Sequence, residues 1–395
     1  MDSESSHQQN DDYLKDSHAH KFLHKKSSKI AKNNRLNSTS TISSHQKKIC
    51  QSSNTLALKL FDVLEDNCVC SPIGIGYILS FPHMGSVCKT EQQITNLMTI
   101  KNSPDDLMAC SKTFNSDIMQ LENLILVNKN MQIKQEYLKM VEQLAIVSNE
   151  DFSDKNAICH KTNEFFKQNN TNNLIKDILK TDMIDSDSAI ILINTVNFKT
   201  VWAVPFEKYG TRWEKFNKTK EIKMMKNIGY YSYYEDKFAQ LIMLPYKGNE
   251  FCMGVILPKE NVDFNQCVDY LGKNITYTTE YVDIHFPKFT QRRNIDLIPL
   301  MQKMGVTDLF SSQKARLDRM TTCDGTYVST FIHGAVVQVD EAGTGATAGA
   351  VAVCTDESSM VGPKSIVFYA NRSFIYYIEH IPTNTPLIVG DFHGN

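Results

Sequence analysis

The sequence predicts an α+β fold, on three observations. From Asn54 to the end, strand-like and helix-like signals intermix without a regular β–α–β alternation. The 395 residues are 42% hydrophobic and 22% charged, enough for one large domain or two ordinary ones with ample core. No second linker, internal repeat or low-complexity block interrupts the chain after Asn54, so one ordered body over 51–395 is expected.

Residues 1–50 are rich in Ser, Asn, His and Lys with few large apolar groups, and predict a disordered extension. Between His20 and Lys48 stand eight Lys or Arg and no Asp or Glu. That run reads either as a solvated tail or as an address signal or tether to an anionic surface. His18, His20 and His24 have no partner ligands nearby in an ordered segment, so no metal is expected. The first residues lack the apolar core of a secretory signal, which predicts an intracellular protein; a virion or another export route stays open. On that reading the ten cysteines are reduced small hydrophobes, and the Asn-x-Ser/Thr sites at Asn37, Asn217, Asn274 and Asn371 are silent.

Thr55–Leu64 has helical apolar spacing at Leu56, Leu60 and Leu64. Asn67-Cys68-Val69-Cys70-Ser71-Pro72 predicts a short strand turning into a helix, with Ser71 as N-cap and Pro72 at the first helical position. Pro82 should kink that helix. The apolar run near Ala189–Val196 reads as a central strand, and no run approaches the ~18 residues of a membrane span. The net charge of -2 excludes binding of nucleic acid or membrane by bulk electrostatics of the whole molecule, and neither is expected as a partner of the folded domain. No Gly-x-Ser-x-Gly elbow, zinc-ligand spacing or phosphate-binding glycine loop occurs, so neither catalysis nor a cofactor is expected.

Residues 344–355 are the most informative stretch. None is charged and every side chain is small or β-branched. One strand face would carry Thr344, Ala346, Ala348, Ala350, Ala352 and Cys354; the other would carry Gly345, Thr347, Gly349, Val351, Val353 and Thr355. Composition alone fits an ordinary buried strand. The flanks point elsewhere. A strand-like Val336–Val339 leads into Asp340, Glu341, Ala342 and Gly343; the polar Asp356, Glu357, Ser358, Ser359 and Met360 follow; then come a strand over Phe368–Ile378 and a hairpin over Ile381–Phe392.

This arrangement resembles the hinge, reactive loop and C-terminal strands of a serpin. Further stretches resemble the same family: Asn67–Ile75, Gly85–Ile94, Ile193–Phe206, Leu244–Asn249 with Val255–Pro258, Phe286–Phe289 and Tyr327–His333. The family usually has a serine where Gly74 stands and a glycine where Cys88 stands. The resemblance implies three β-sheets surrounded by about eight or nine helices, with an exposed reactive loop at about 341–365. It implies a suicide-substrate inhibitor, monomeric, whose partner is a serine or caspase-like cysteine protease held in a covalent complex. It implies a hinge of Glu341, Ala342, Gly343, Thr344, Gly345, Ala346, Thr347, Ala348, Gly349 and Ala350, and control of sheet opening by Ser71, Asn194, Trp202, Lys288 and His333. Lys288 should pair with Glu341, and Asn194 with His333.

The family's usual span, counted from Glu341, puts the reactive bond after Glu357; a span one residue shorter, as in some intracellular viral serpins, puts it after Asp356 with Ser358 beyond, and Met360 stays open. An acidic residue there calls for a protease pocket lined by Arg or Lys. Two other readings remain: a non-inhibitory serpin that binds or scaffolds, and a protein whose basic tail does the work.

Overall fold

A computed structural model describes residues 43–169, 175–185, 189–345 and 364–394. Its first helix, α1 (Ser44–Phe61), begins seven residues ahead of the expected boundary at residue 51. Ser43 and Gln46 form a reciprocal capping box. Ile49 and Cys50 are buried, and His45 Nδ1 stands 2.6 Å from buried Asp106 Oδ1. A polar composition hid these residues, because the cap and the His45–Asp106 hydrogen bond, rather than a run of apolar side chains, fix the helix start. The expected helical spacing holds at Leu56 and Leu60, which are fully buried.

The strand β1 (Val69–Cys70) turns into α2 (Pro72–Gly85) as predicted. Ser71 Oγ accepts from Gly74 N, and Pro72 occupies the first turn, where its missing N–H costs nothing. The helix continues for three residues past Pro82 and is buried almost all round, which marks a central rather than a surface helix. Then follow α3 (Cys88–Met98), α4 (Pro104–Phe114), β2 (Met119–Asn128), α5 (Gln135–Val141), β3 (Ile146–Glu150) and α6 (Lys155–Asn169). The middle of the chain is β-rich: β4 (Ile190–Phe198), β5 (Thr200–Val201), β6 (Arg212–Phe216), β7 (Lys220–Glu235), β8 (Ala239–Pro245), β9 (Phe251–Pro258), β10 (Thr278–Pro287) and β11 (Phe289–Asp296). After α7 (Ile298–Lys303) come β12 (Val328–Val339), β13 (Gly343–Thr344), β14 (Ile366–Tyr369), β15 (Phe374–His380) and β16 (Thr385–Phe392).

Among the described residues the strands hydrogen-bond into two sheets. Two of the three expected sheets are continuous because β7 is 16 residues long and serves both: its start pairs with β6, its middle with β10 and its end with β8. The main sheet runs β3-β2-β4-β12-β13-β5, with β11 on the far edge of β12. At its centre β4 and β12 pair in parallel from Ile190/Val328 to Asn197/Val336. Every residue of β4 is buried, as suits a strand covered on both faces. Among the described residues no helix is long and apolar enough to cross a membrane.

Candidate hinge and sheet-opening site

Beyond Asn197 and Val336 the two central strands part. The short β13 lies between β12 and β5, antiparallel to both: Thr344 is opposite Val339, and Gly343 and Thr344 are opposite Val201 and Thr200. Two of the ten predicted hinge residues are thus already a strand of the main sheet. Gly343 packs so tightly there that a Cβ would fall 2.1 Å from the Thr200 carbonyl oxygen, and Gly345 follows at φ +63°, a conformation that favours glycine. Ala346, Thr347, Ala348, Gly349, Ala350, Asp356, Glu357 and Ser358 lie outside the described residues.

Polar contacts clamp the chain leading into β13. The Trp202 indole donates to the Asp340 carbonyl and its amide to the Ala342 carbonyl, each at 2.9 Å. The Phe206 amide donates to the Glu341 carbonyl. Lys288 Nζ stands 2.7 Å from Glu341 Oε2, and the Thr211 hydroxyl donates to Glu341 Oε1 at 2.9 Å. Burial by itself would raise the Glu341 carboxyl; the Lys288 ammonium and the hydroxyl outweigh it and hold the group below the usual glutamate range. Trp202 stacks flat on Tyr246, centroids 4.5 Å apart. The Tyr246 hydroxyl in turn lies 2.6 Å from that of Thr344, both side chains being fully buried.

Below the strand parting lies a second cluster, where His333 of β12 is directly opposite Asn194 of β4. His333 Nε2 accepts from the Ser71 amide at 2.9 Å, so Nδ1 carries the proton and donates to Asn194 Oδ1 at 2.8 Å. Asn194 Nδ2 passes the chain on to Asn123 Oδ1 at 2.8 Å, and Ser71 Oγ donates to the Leu387 carbonyl at 2.6 Å. Full burial pushes the imidazole down to about 3, so it is neutral at ordinary pH. The cluster joins α2, the two central strands and β16. It is fully satisfied with the sheet closed, which is the condition for tolerating polar groups in a core.

The structure therefore brings Glu341, Ala342, Gly343, Thr344, Trp202 and Lys288 together at the parting, and Ser71, Asn194 and His333 together beneath it. Sequence reasoning missed Tyr246, Thr211 and Asn123. Tyr246 stood inside a quoted motif without a role; Asn123 was detectable as a polar residue in the apolar run of β2. Gly74 has a reason the sequence did not reveal: a Cβ there would lie 2.6 Å from Asn194 Oδ1 and 2.7 Å from Val196 Cγ2.

The family model described as Serpin (serine protease inhibitor) matches residues 51–394. A serpin-like protein of Acanthamoeba polyphaga mimivirus is 34% identical over 365 residues, covering 88% of this chain and 90% of that one. The leukocyte elastase inhibitor of Equus caballus is 28% identical, covering 85% and 96%. Among solved structures, native protease nexin-1 with heparin superposes with a TM-score of 0.78 at 22% identity, covering 89% of this chain and all of that one.

Proposed function

The chain belongs to the serpin family, and on that premise we propose that it inhibits a protease as a suicide substrate. A protease attacks a bond within residues 346–363 and becomes acylated; the freed segment then enters the main sheet and carries the protease with it. The observation that carries this reading is β13. Insertion would extend a strand that already lies between its neighbours.

The energetics favour that direction. Insertion replaces one parallel β4–β12 contact with two antiparallel ones, the stronger pairing per residue. Thr344 fixes the parity: its side chain faces the core at Tyr246, so Ala346, Ala348, Ala350, Ala352 and Cys354 would follow it inward. Those side chains are small and uncharged, which avoids overpacking at ~1–3 kcal/mol per site and the far larger cost of a buried charge. The Asn194–His333 and Lys288–Glu341 contacts hold the sheet closed until the loop is cut. The printed name of the horse relative, an elastase inhibitor, supports inhibition as the activity. With Asp356 or Glu357 at the reactive bond, the target is an Asp- or Glu-directed serine protease or a caspase-like enzyme.

The test is thermal unfolding before and after nicking the loop with a non-target protease. A large rise in Tm supports insertion. An unchanged Tm sinks the inhibitory reading and leaves a binding protein. Thr344→Arg should convert inhibitor to substrate, seen as loop cleavage without an SDS-resistant complex.

A further inference from the structure

Away from the hinge, an imidazole and two carboxylates converge where the turn after α1 meets the end of β16. Asp66, Asp391 and His393 each offer one metal-ligating atom, and these atoms lie within 4.8 Å of one another. Asp391 is the fixed member. It is 5% exposed, and its carboxylate accepts from the backbone amides of Asn67 at 2.7 Å and Cys68 at 2.6 Å. His393 Nε2 donates to Asp391 Oδ2 at 2.6 Å. The His393 amide donates to Asn67 Oδ1, and its ring packs on Phe264 with centroids 5.1 Å apart. Asp66 is exposed and completes the set from the turn.

A cavity of about 410 Å³ opens beside this group. Asp62, Glu65, Asp66, Asp269 and Asp391 line it, and none of its described lining residues is Lys or Arg. This differs from a solvated acidic surface, whose carboxylates stand apart in water. Here one carboxylate is buried and held by two amides, and an imidazole nitrogen is held against it.

The donor atoms select the ion. Ca²⁺ and Mg²⁺ take about six or more oxygens. An imidazole nitrogen with two carboxylates suits Zn²⁺, which is four-coordinate with bonds of ~2.0–2.2 Å. Tetrahedral bonds of that length set the ligand atoms ~3.4 Å apart. The exposed Asp66 and the partly exposed His393 can close to that spacing while the two amides keep Asp391 in place.

We propose that Asp66, Asp391 and His393 bind one Zn²⁺ ion, with water from the cavity as its fourth ligand. The ion takes the place of the proton on His393 Nε2, which passes to solvent. It ties the turn after α1 to the end of β16, the strand whose Leu387 carbonyl accepts from Ser71 Oγ. No spacing in the sequence marks the site, because Asp66 comes from the other end of the fold. Zinc binding here does not depend on the inhibitory reading.

The test is calorimetric titration of the full chain, stripped of metal with a chelator, with ZnCl₂, MgCl₂ and CaCl₂. His18→Ala, His20→Ala and His24→Ala together remove the histidines of the tail and form the background for every titration. One Zn²⁺ per chain is expected, with Mg²⁺ and Ca²⁺ weaker by about tenfold or more. His393→Gln and Asp66→Asn should each weaken Zn²⁺ by about tenfold or more and remove the rise in Tm that zinc produces. Asp391 is left intact, because its carboxylate holds two backbone amides and its loss would confuse folding with binding. No zinc binding in the background chain overturns the site. So does zinc binding that His393→Gln and Asp66→Asn leave unchanged. Equal affinity for Ca²⁺ overturns the imidazole as a ligand, and the proposal with it.

Discussion

The hydroxyls of Tyr246 and Thr344 meet at 2.6 Å in a site closed to solvent, with Trp202 stacked on the tyrosine ring, centroids 4.5 Å apart. The contact secures Thr344, the last residue of β13. Tyr246→Phe leaves the Thr344 hydroxyl buried and unpaired, at a cost of ~1–3 kcal/mol. Adding Thr344→Val removes the orphan and should restore most of the loss. Denaturant midpoints of the two single variants and the double variant measure the coupling; strictly additive losses would contradict the contact.

His333 makes stability depend on pH. Its folded-state value is about 3, against an ordinary 6.5, with burial as the cause. Between those values the unfolded chain binds a proton that the native site refuses. The contribution is therefore fully present above pH 6.5 and is lost as pH falls toward 3, in all on the order of 5 kcal/mol. Protonation would also set an Nε2 proton against the Ser71 amide. Unfolding midpoints across this window should fall with acid, and His333→Gln should lower stability at pH 7 while flattening the slope. A wild-type profile flat from pH 6.5 to 4 would contradict the neutral, buried imidazole.

Gly74 is where relatives usually carry a serine. Here any side chain would collide with Asn194 and Val196, both held by the central strands. Gly74→Ser should destabilise by ~1–3 kcal/mol, the range for overpacking a filled core. Urea unfolding checks it; a stabilised variant would mean that Asn194 has room to retreat.

Cys88 is the opposite case. It has φ +53°, its side chain is exposed, and the family usually has glycine there. A left-handed conformation costs a non-glycine residue ~1–2 kcal/mol, and glycine returns part of that as greater freedom when unfolded. Cys88→Gly should therefore stabilise by about 1 kcal/mol, read as a higher urea midpoint with unchanged slope.

The fold class, the strand at β4 and the Ser71–Pro72 helix start were legible in the sequence. Each depends on local chemistry: a cap, a proline tolerated at one position, a run of apolar side chains. The start of α1 was missed because it depends on His45 meeting Asp106, 61 residues away. Other features depend on distances no pattern encodes. That Gly343 and Thr344 are already paired, that Tyr246 reaches Thr344 across 98 residues, and that Gly74 must be glycine because Asn194 lies above it were decided only by packing. The sequence by itself determined which residues can enter a sheet, because charge, size and backbone freedom belong to each side chain. Only the tertiary structure decided that Gly343 and Thr344 are paired there and what holds them, because those depend on which distant groups share a buried site and satisfy one another there.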